Sequence, residues 1–266
     1  EHTGKGVLRH VIGRIGQSGW MIILVTATEH LPHQEKWVEK LTERVPQVET
    51  IVHNVNGKRT NVILGPKNSV LYGDGTITDH IKDLQFTLSP HSFFQVNPEQ
   101  TTVLYDQALK YADLKGNETV IDAYCGTGTI SLFLAHKAKH VIGIEIVEPA
   151  IINARENARH NGYDNTEFIV ADAAVEMPKL YKAGVRPDVI VFDPIRAGCK
   201  EEVLTSAAGM EPKRIVYVSC NPATMARDIE ILTHYGYELQ EVQPVDMFPM
   251  TAHVEAVALL TRNEET

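Results

Sequence analysis

The second part of the chain alternates apolar, strand-like runs with helix-like sequence. Five such runs follow one another: TVIDAY, HVIGIEIV, TEFIVAD, DVIVFDP and RIVYVSC. Because each is followed by helix-like sequence, the alternation predicts a mainly parallel sheet with helices on both faces. Two more strand-like runs, ELQEVQPVDMF and AHVEAVALL, come last, with no long helix after the second. The pattern therefore predicts an α/β fold of seven strands whose last pair lacks a crossover helix.

The first part of the chain has a different pattern. Residues 1–88 are rich in strand-like sequence and contain one amphipathic helix, HQEKWVEKLTERV. Asn56-Gly57 lies between VETIVHNV and KRTNVILG, which predicts a β-hairpin. We therefore expect a small β-rich α+β module over residues 1–88, which is a candidate for contact with RNA, and a catalytic domain over residues 89–266. The chain begins in strand-like sequence without a methionine, which is typical of a fragment.

Composition excludes several classes of protein. No apolar run reaches the length of about eighteen residues that a membrane-spanning helix needs, so no membrane partner is expected. Cys125, Cys199 and Cys220 form neither a CxxC pair nor a metal-ligand spacing. They predict a reducing, cytoplasmic setting and no bound metal. The net charge of −9 argues against nonspecific coating of nucleic acid, but not against an enzyme that binds RNA through a local basic face.

A glycine motif follows the first strand of the second part. Asp122 precedes the segment Tyr124–Thr129, in which Gly126 and Gly128 allow close approach of a ligand to the backbone. The third glycine of a dinucleotide fingerprint is missing, which disfavours NAD and FAD. Glu145 ends the next strand, where a carboxylate can accept hydrogen bonds from both ribose hydroxyls. Asp172 closes the third strand, where it can meet an adenine amino group. This set favours S-adenosylmethionine, and with seven strands it predicts a class I methyltransferase (Rossmann-like) sheet.

The fourth strand ends in Asp193-Pro194-Ile195-Arg196. Enzymes that methylate exocyclic amines usually place an aromatic residue where Arg196 stands, so this chemistry is disfavoured. Methylation of uracil C5 instead needs a cysteine that adds to C6 and a base that removes the C5 proton. Cys220 ends the fifth strand at the start of a helix, whose N-terminus favours a thiolate. The alternative for Cys220 is a packed thiol; Cys125 and Cys199 are interpreted as structural.

Glu255 interrupts the apolar run HVEAVALL. A carboxylate in apolar surroundings has a raised pKa, which suits proton abstraction near neutral pH. The alternative is a solvent-facing position on an edge strand.

These segments together resemble the family of RNA uracil-C5 methyltransferases that use S-adenosylmethionine. The resemblance covers roughly residues 88–260 and rests on SFFQVNPEQ, DAYCGTGTISL, GIEIVEPAIINARENARHNG, FDPIRAGC, YVSCNPATMARDI and HVEAVALL. It implies Cys220 as nucleophile and Glu255 as base. It also implies cofactor or active-site contacts from a set of six residues: Gln95, Tyr124, Gly128, Glu145, Asp172 and Asp193. Phe93 and Phe94 are implied to support a pocket for an extruded uracil.

Within this family, SFFQVNPEQ and the chain length look most like the bacterial 23S rRNA (uracil-5-)-methyltransferases. Methylation of a tRNA T-loop uridine is the nearer alternative, and a non-catalytic cofactor-binding RNA module is a third. The chain departs from the family at Ile195, where a second proline is usual, so the shape of this loop is expected to differ. An N-terminal β-barrel and a four-cysteine iron–sulfur site, which family members often carry, are not recognisable in the sequence.

Overall fold

A computed structural model describes residues 6–58 and 61–263 of the 266-residue chain. The chain divides into two compact units, Glu1–Ser92 and Phe93–Thr266. No helix among the described residues is long and apolar enough to cross a membrane.

The first unit contains a four-stranded sheet, one helix and a two-stranded sheet. The four strands lie in the order β1-β2-β3-β4, and β2 and β3 are parallel across the connection that contains α1. A separate hairpin, β5-β6, completes the unit. The element bounds are β1 Leu8–Ile15, β2 Trp20–Thr26, α1 Gln34–Arg44, β3 Val48–Val55, β4 Lys67–Tyr72, β5 Ile77–Ile81 and β6 Leu84–Leu88.

The predicted hairpin at Asn56-Gly57 is wrong. Strand β3 does pair with an antiparallel neighbour, but that neighbour is β4, which begins only at Lys67. The Asn56 side chain explains the difference, since its Nδ2 donates to the carbonyls of Val62 and Ile63 at 2.7 and 3.0 Å. This buried amide holds the connection in a wide loop rather than a tight turn. Arg59 and Thr60 of the predicted strand lie outside the described residues.

Arg14 extends the first unit beyond its last strand. Its Nη1 donates to the carbonyl of Ser89 at 2.7 Å, and its Nη2 donates to the carbonyl of Ser92. The chain from Ser89 to Ser92 is thereby held on β1, which accounts for the position at which the unit ends.

The second unit has the seven-stranded sheet that the alternation predicts. The strand order is β12-β13-β11-β10-β7-β8-β9, parallel from β11 to β9, with β13 antiparallel to both of its neighbours. The strands are β7 Thr119–Ala123, β8 His140–Glu145, β9 Thr166–Val170, β10 Val189–Phe192, β11 Arg214–Ser219, β12 Tyr237–Val245 and β13 Glu255–Arg262. The helices are α2 Pro98–Ala112, α3 Thr129–Ala135, α4 Glu148–His160, α5 Ala173–Lys182, α6 Glu201–Gly209 and α7 Pro222–Thr233. The predicted α/β architecture is confirmed.

Local sequence explains where two of these helices begin. Asn97 caps α2 by accepting a hydrogen bond from the Gln100 N–H at 3.3 Å, and Pro98 occupies the first helical position. Asn221 and Pro222 repeat this arrangement at α7, where the Asn221 side chain accepts from the Ala223 N–H at 3.3 Å. Because Asn221 is the cap, Cys220 lies between the end of β11 and the start of α7.

Candidate active site

Strands β7 and β10 are adjacent and parallel at the centre of the sheet. Strands β8 and β9 follow β7 on one side of this pair, and β11 follows β10 on the other side. The connections that leave the carboxyl ends of β7 and β10 therefore run in opposite directions. Such a switch point is where open α/β sheets bind ligands. The segments that follow β7, β8, β10 and β11 meet at this edge.

The loop after β7 has left-handed backbone at several positions. The φ angles are 71° at Tyr124, 55° at Gly126 and 80° at Gly128. A side chain at Gly128 would come within 3.1 Å of Ala154 and 3.2 Å of Phe168, whereas one at Gly126 would meet no atom within 4 Å. Gly128 therefore permits close packing of the loop against α4 and β9, and Gly126 faces open space. We call the segment Tyr124–Thr129 the glycine cradle.

Glu145 supports the glycine cradle from the end of β8. Its Oε2 accepts a hydrogen bond from the Gly126 N–H at 3.2 Å, and its Oε1 accepts from the Val147 N–H at 2.9 Å. The carboxylate is half-buried, and each oxygen retains a lone pair for a further donor.

Asp122 and Thr127 bring unsatisfied polar atoms to the cradle. Asp122 is fully buried, and its Oδ2 accepts a hydrogen bond from the Ser131 hydroxyl at 2.5 Å. Its Oδ1 and the Thr127 hydroxyl are buried and have no hydrogen-bond partner among the described residues. Desolvation, opposed by the Ser131 hydrogen bond and helped by Glu145, raises the pKa of Asp122 to about 7. Native proteins rarely leave such atoms unpaired, so this arrangement is typical of a ligand or water site.

We predict that ionisation of Asp122 destabilises the ligand-free protein. The usual pKa of 3.8 rises to about 7 in the fold, so the folded protein binds more protons than the unfolded chain between these values. The free energy of unfolding therefore falls as pH rises through this interval. Asn at position 122 can still accept from Ser131 but cannot ionise. Urea unfolding at several pH values should give a shallower decline for Asp122→Asn, and parallel curves for the two proteins would contradict this prediction.

Both oxygens of Asp172 bind groups of the chain. Oδ1 accepts from the Ala174 N–H at 2.9 Å and caps α5, and Oδ2 pairs with Lys200 Nζ at 2.9 Å. These contacts lower the pKa of Asp172, with the Lys200 hydrogen bond as the largest cause. Asp172 therefore has a structural role, in which it caps α5 and pairs with Lys200.

The segment before α2 contains one buried and one exposed residue of the predicted site. Gln95 is buried at 8% exposure, whereas Phe93 is 70% exposed. The Tyr124 side chain, by contrast, packs against the core of the second unit near the Cys199 thiol.

Cys220 and Glu255 each lie one residue beyond the last pair of two neighbouring strands. Ser219 and Ala256 form that last pair in the antiparallel ladder of β11 and β13, and Cys220 follows Ser219 as Glu255 precedes Ala256. Glu255 opens β13 and is only 3% exposed. It lies between β11 and β12, not on an edge strand, so the solvent-facing alternative is wrong. Desolvation raises its pKa, and Arg196 opposes the rise.

The expected lowering of the Cys220 pKa is outweighed by other effects. Desolvation is the largest effect and raises the pKa of the thiol, with Glu255 and Asp193 acting in the same direction. Arg196 and a backbone hydrogen bond lower it, but do not reverse the net direction. Cys220 is nevertheless the half-exposed cysteine of the three, since Cys125 and Cys199 are buried.

Asp193 and Arg196 complete this group at the end of β10. The Asp193 N–H donates to the Ala123 carbonyl at 3.4 Å, so this carboxylate begins beside the glycine cradle. Desolvation first, and then Glu255 and Asp122, raise its pKa. Arg196 Nη2 lies 3.4 Å from His253 Nδ1, just before β13. The carboxyl ends of β10 and β11 and the start of β13 thus bring a thiol, two carboxyl groups and one guanidinium to this edge of the sheet.

Sequence reasoning missed Asp228, which is fully buried in α7. Its signal was a charged residue on the apolar face of the helix, spaced three and four residues from Met225 and Leu232, which are buried on the same face. No group of three or more His, Cys, Asp or Glu side chains suited to a metal occurs in the described ranges.

Comparison with known proteins gives consistent relatives. The family described as tRNA (uracil-5-)-methyltransferase matches residues 21–263. A protein of Halalkalibacterium halodurans named an uncharacterized RNA methyltransferase is 56% identical over 262 residues, which are 98% of this chain and 57% of that protein. A similarly named Bacillus cereus protein is 55% identical, with 100% and 58% covered. The chain therefore spans less than two thirds of the length of these relatives.

A solved structure is also similar. It is the tRNA (uracil-54, C5)-methyltransferase of Pyrococcus abyssi in complex with S-adenosyl-L-homocysteine. The TM-score is 0.78 at 31% sequence identity, and the match covers 97% of this chain and 60% of that one.

Proposed function

The chain belongs to the tRNA (uracil-5-)-methyltransferase family, and we propose that it methylates C5 of a specific uridine in 23S rRNA with S-adenosylmethionine as methyl donor. The observation that carries this proposal is that Cys220 and Glu255 both lie directly beyond the last pair of β11 and β13, while Asp193 begins beside the glycine cradle. A nucleophile, a base and a nucleoside-binding loop are the three elements that this reaction needs.

The residues of the cradle fit S-adenosylmethionine. The open space at Gly126 admits a ligand close to the backbone, and Glu145 has lone pairs left for ribose hydroxyls. The unpartnered oxygens of Asp122 and Thr127 offer further polar contacts. When bound, the cofactor supplies an electrophilic methyl group. We propose Gln95, Tyr124 and Gly128 as further contacts, and Asp172 as a residue that shapes this site through its cap on α5.

In the proposed mechanism, the Cys220 thiolate forms a bond to C6 of uracil, and the electron pair of the C5–C6 double bond moves onto C5 as an enolate. This makes C5 nucleophilic toward the methyl group. After methylation, Glu255 takes the C5 proton, the C5–C6 double bond reforms, and the bond between C6 and sulfur breaks. The raised pKa of Glu255 makes it a stronger base than a solvated carboxylate.

Exposed apolar side chains near these residues in sequence support a nucleic-acid substrate. Phe93 and Ile195 are 70% and 76% exposed, and both belong to segments that carry proposed site residues. Unstacked bases bind to aromatic and apolar side chains of this kind. Since C6 must be open to Cys220, the target uridine must leave its stack. Ile195 replaces the proline usual in the family, and we propose that it shapes the rim of the pocket.

A tRNA T-loop uridine is the second candidate, because the P. abyssi protein is named for uracil 54 of tRNA and matches 97% of this chain. Mapping of 5-methyluridine by mass spectrometry in cells with and without the gene separates the two. Loss of the nucleoside from 23S rRNA alone would support the proposal, and loss from tRNA alone would replace it with the second candidate. No loss from any RNA would favour a non-catalytic RNA-binding module.

A further inference from the structure

The loop that carries Asp193 and Arg196 is hydrogen-bonded to helix α7. Asn221 Nδ2 and Thr224 Oγ1 both donate to the Arg196 carbonyl, at 2.9 and 3.2 Å. Arg227 Nη2 donates to the Ala197 carbonyl at 2.9 Å. Since Asn221, the cap of α7, directly follows Cys220, these bonds connect the loop to the segment that positions the thiol.

Asp228 lies at the centre of this connection. Its Oδ2 accepts hydrogen bonds from the Cys199 N–H at 2.7 Å and from the Tyr217 hydroxyl at 2.5 Å. Its Oδ1 accepts from Arg227 Nε at 2.8 Å and Nη2 at 2.6 Å. The fully buried Asp228 carboxylate is thus hydrogen-bonded to the loop at Cys199, to strand β11 at Tyr217, and to Arg227 in its own helix. Charge-assisted hydrogen bonds of this kind are strong, and breaking them leaves unpaired buried groups.

Gly198 shows how closely the loop approaches this carboxylate. A Cβ at position 198 would lie 2.6 Å from both Arg227 Nη2 and Asp228 Oδ2, and the φ angle is 80°. The backbone of the loop therefore lies directly on the Asp228–Arg227 pair, with no room for a side chain between them.

The Arg196 guanidinium is the charge whose position depends on this loop. Its Nη2 lies 3.4 Å from His253 Nδ1, two residues before Glu255, and its charge lowers the pKa of both Cys220 and Glu255. The backbone of Arg196 is fixed by Asn221 and Thr224, and the loop ends at the Cys199 N–H held by Asp228.

We propose that Asp228 is a positioning residue, which holds the loop Asp193–Lys200 on α7 and so keeps the Arg196 guanidinium beside Cys220 and Glu255. This inference rests on the proposed function in assigning a catalytic use to Cys220. The arrangement of charges, however, is a property of the protein alone and is measurable without RNA or cofactor.

The test is the pH dependence of Cys220 alkylation by iodoacetamide, followed for each cysteine by peptide mass spectrometry. The groups that face Cys220 are Glu255, Asp193 and Arg196. For Asp228→Asn we expect the profile to move to higher pH, with the rate at pH 8 reduced about five- to tenfold. Arg196→Gln should give a similar change. The double variant should show no further reduction, since Asp228 acts through Arg196.

Asp188→Asn is the matched control. Asp188 accepts a hydrogen bond from the Thr119 N–H at 3.1 Å, at the amino end of the sheet and away from Cys220. The Asp188→Asn variant should change the stability of the protein without moving the pH profile of Cys220 alkylation. Thr224→Val is the substitute if Asp228→Asn does not fold, because it removes the hydrogen bond to the Arg196 carbonyl with little change in shape. It should move the alkylation profile of Cys220 to higher pH by a smaller amount. This shift should be absent when Thr224→Val is combined with Arg196→Gln.

The inference would be overturned if folded Asp228→Asn shows an unchanged pH profile of Cys220 alkylation. If Asp228→Asn does not fold, an unchanged profile in Thr224→Val would overturn it. Additive effects with Arg196→Gln would overturn it as well. Absence of RNA methylation by the unsubstituted protein would instead overturn the proposed function, and would leave the alkylation result standing.

Discussion

Replacing Cys220 with alanine will abolish both methyl transfer to RNA and formation of a covalent complex with RNA. Without the thiolate, C5 of uracil has no enolate character, so no remaining group can take over the first step. Removal of a nucleophile that works as a unit with a base typically costs about 10⁴-fold or more in rate. Transfer of labelled methyl groups from S-adenosylmethionine to RNA measures the loss.

The covalent step is measured separately with RNA that carries 5-fluorouridine at the target site. Fluorine at C5 cannot leave as a proton does, so the protein remains bonded to C6 in a complex that survives denaturing electrophoresis. The unsubstituted protein should form this complex and Cys220→Ala should not. Cys199→Ala is the control, since that thiol is buried and its side-chain contacts are with the Tyr217 hydroxyl, at 3.5 Å, and with Tyr124. A full yield of complex from Cys220→Ala would exclude Cys220 as nucleophile.

The sheet of the second unit could be predicted because its signals are local. Interior parallel strands such as Val189–Phe192 are buried on both faces, so they are continuous apolar runs that stand out between helices. Asn97-Pro98 and Asn221-Pro222 mark helix starts through contacts within three residues. The strands of the first unit carry weaker signals. Strand β4, Lys67–Tyr72, lies at the edge of its sheet and is mostly exposed, so its sequence lacks an apolar run.

The electrostatics of the site could not be predicted, because they depend on groups distant in sequence. The effect of a helix N-terminus on Cys220 is visible in the sequence, but the opposing effects of Glu255 and Asp193 follow only from the sheet order. In the same way, the sequence around Glu255 taken alone favours a solvent-facing position on an edge strand, whereas the sheet order places β12 outside β13. Tertiary pairing, rather than local propensity, decides these properties.

Replacing Glu255 with glutamine will stop the reaction after methyl transfer. The amide is close in shape to the carboxylate but cannot accept the C5 proton at neutral pH. The methylated uridine then stays bonded to Cys220, and the expected result is at most one methyl group transferred per protein molecule. Loss of a general base typically reduces turnover by about 10²- to 10⁴-fold. A stable complex of Glu255→Gln with ordinary uridine-containing RNA, carrying a labelled methyl group, is the diagnostic product.

The pH dependence of turnover distinguishes this role from a structural one. Because burial raises the pKa of Glu255, the fraction of ionised base in the unsubstituted protein increases with pH through a range above that of a solvated glutamate. Turnover should therefore rise with pH over that range, and the single methyl transfer by Glu255→Gln should lack this dependence on the base. Glu238→Gln provides the matched control, since Glu238 is exposed on the neighbouring strand β12. Repeated turnover by Glu255→Gln would show that another group removes the proton.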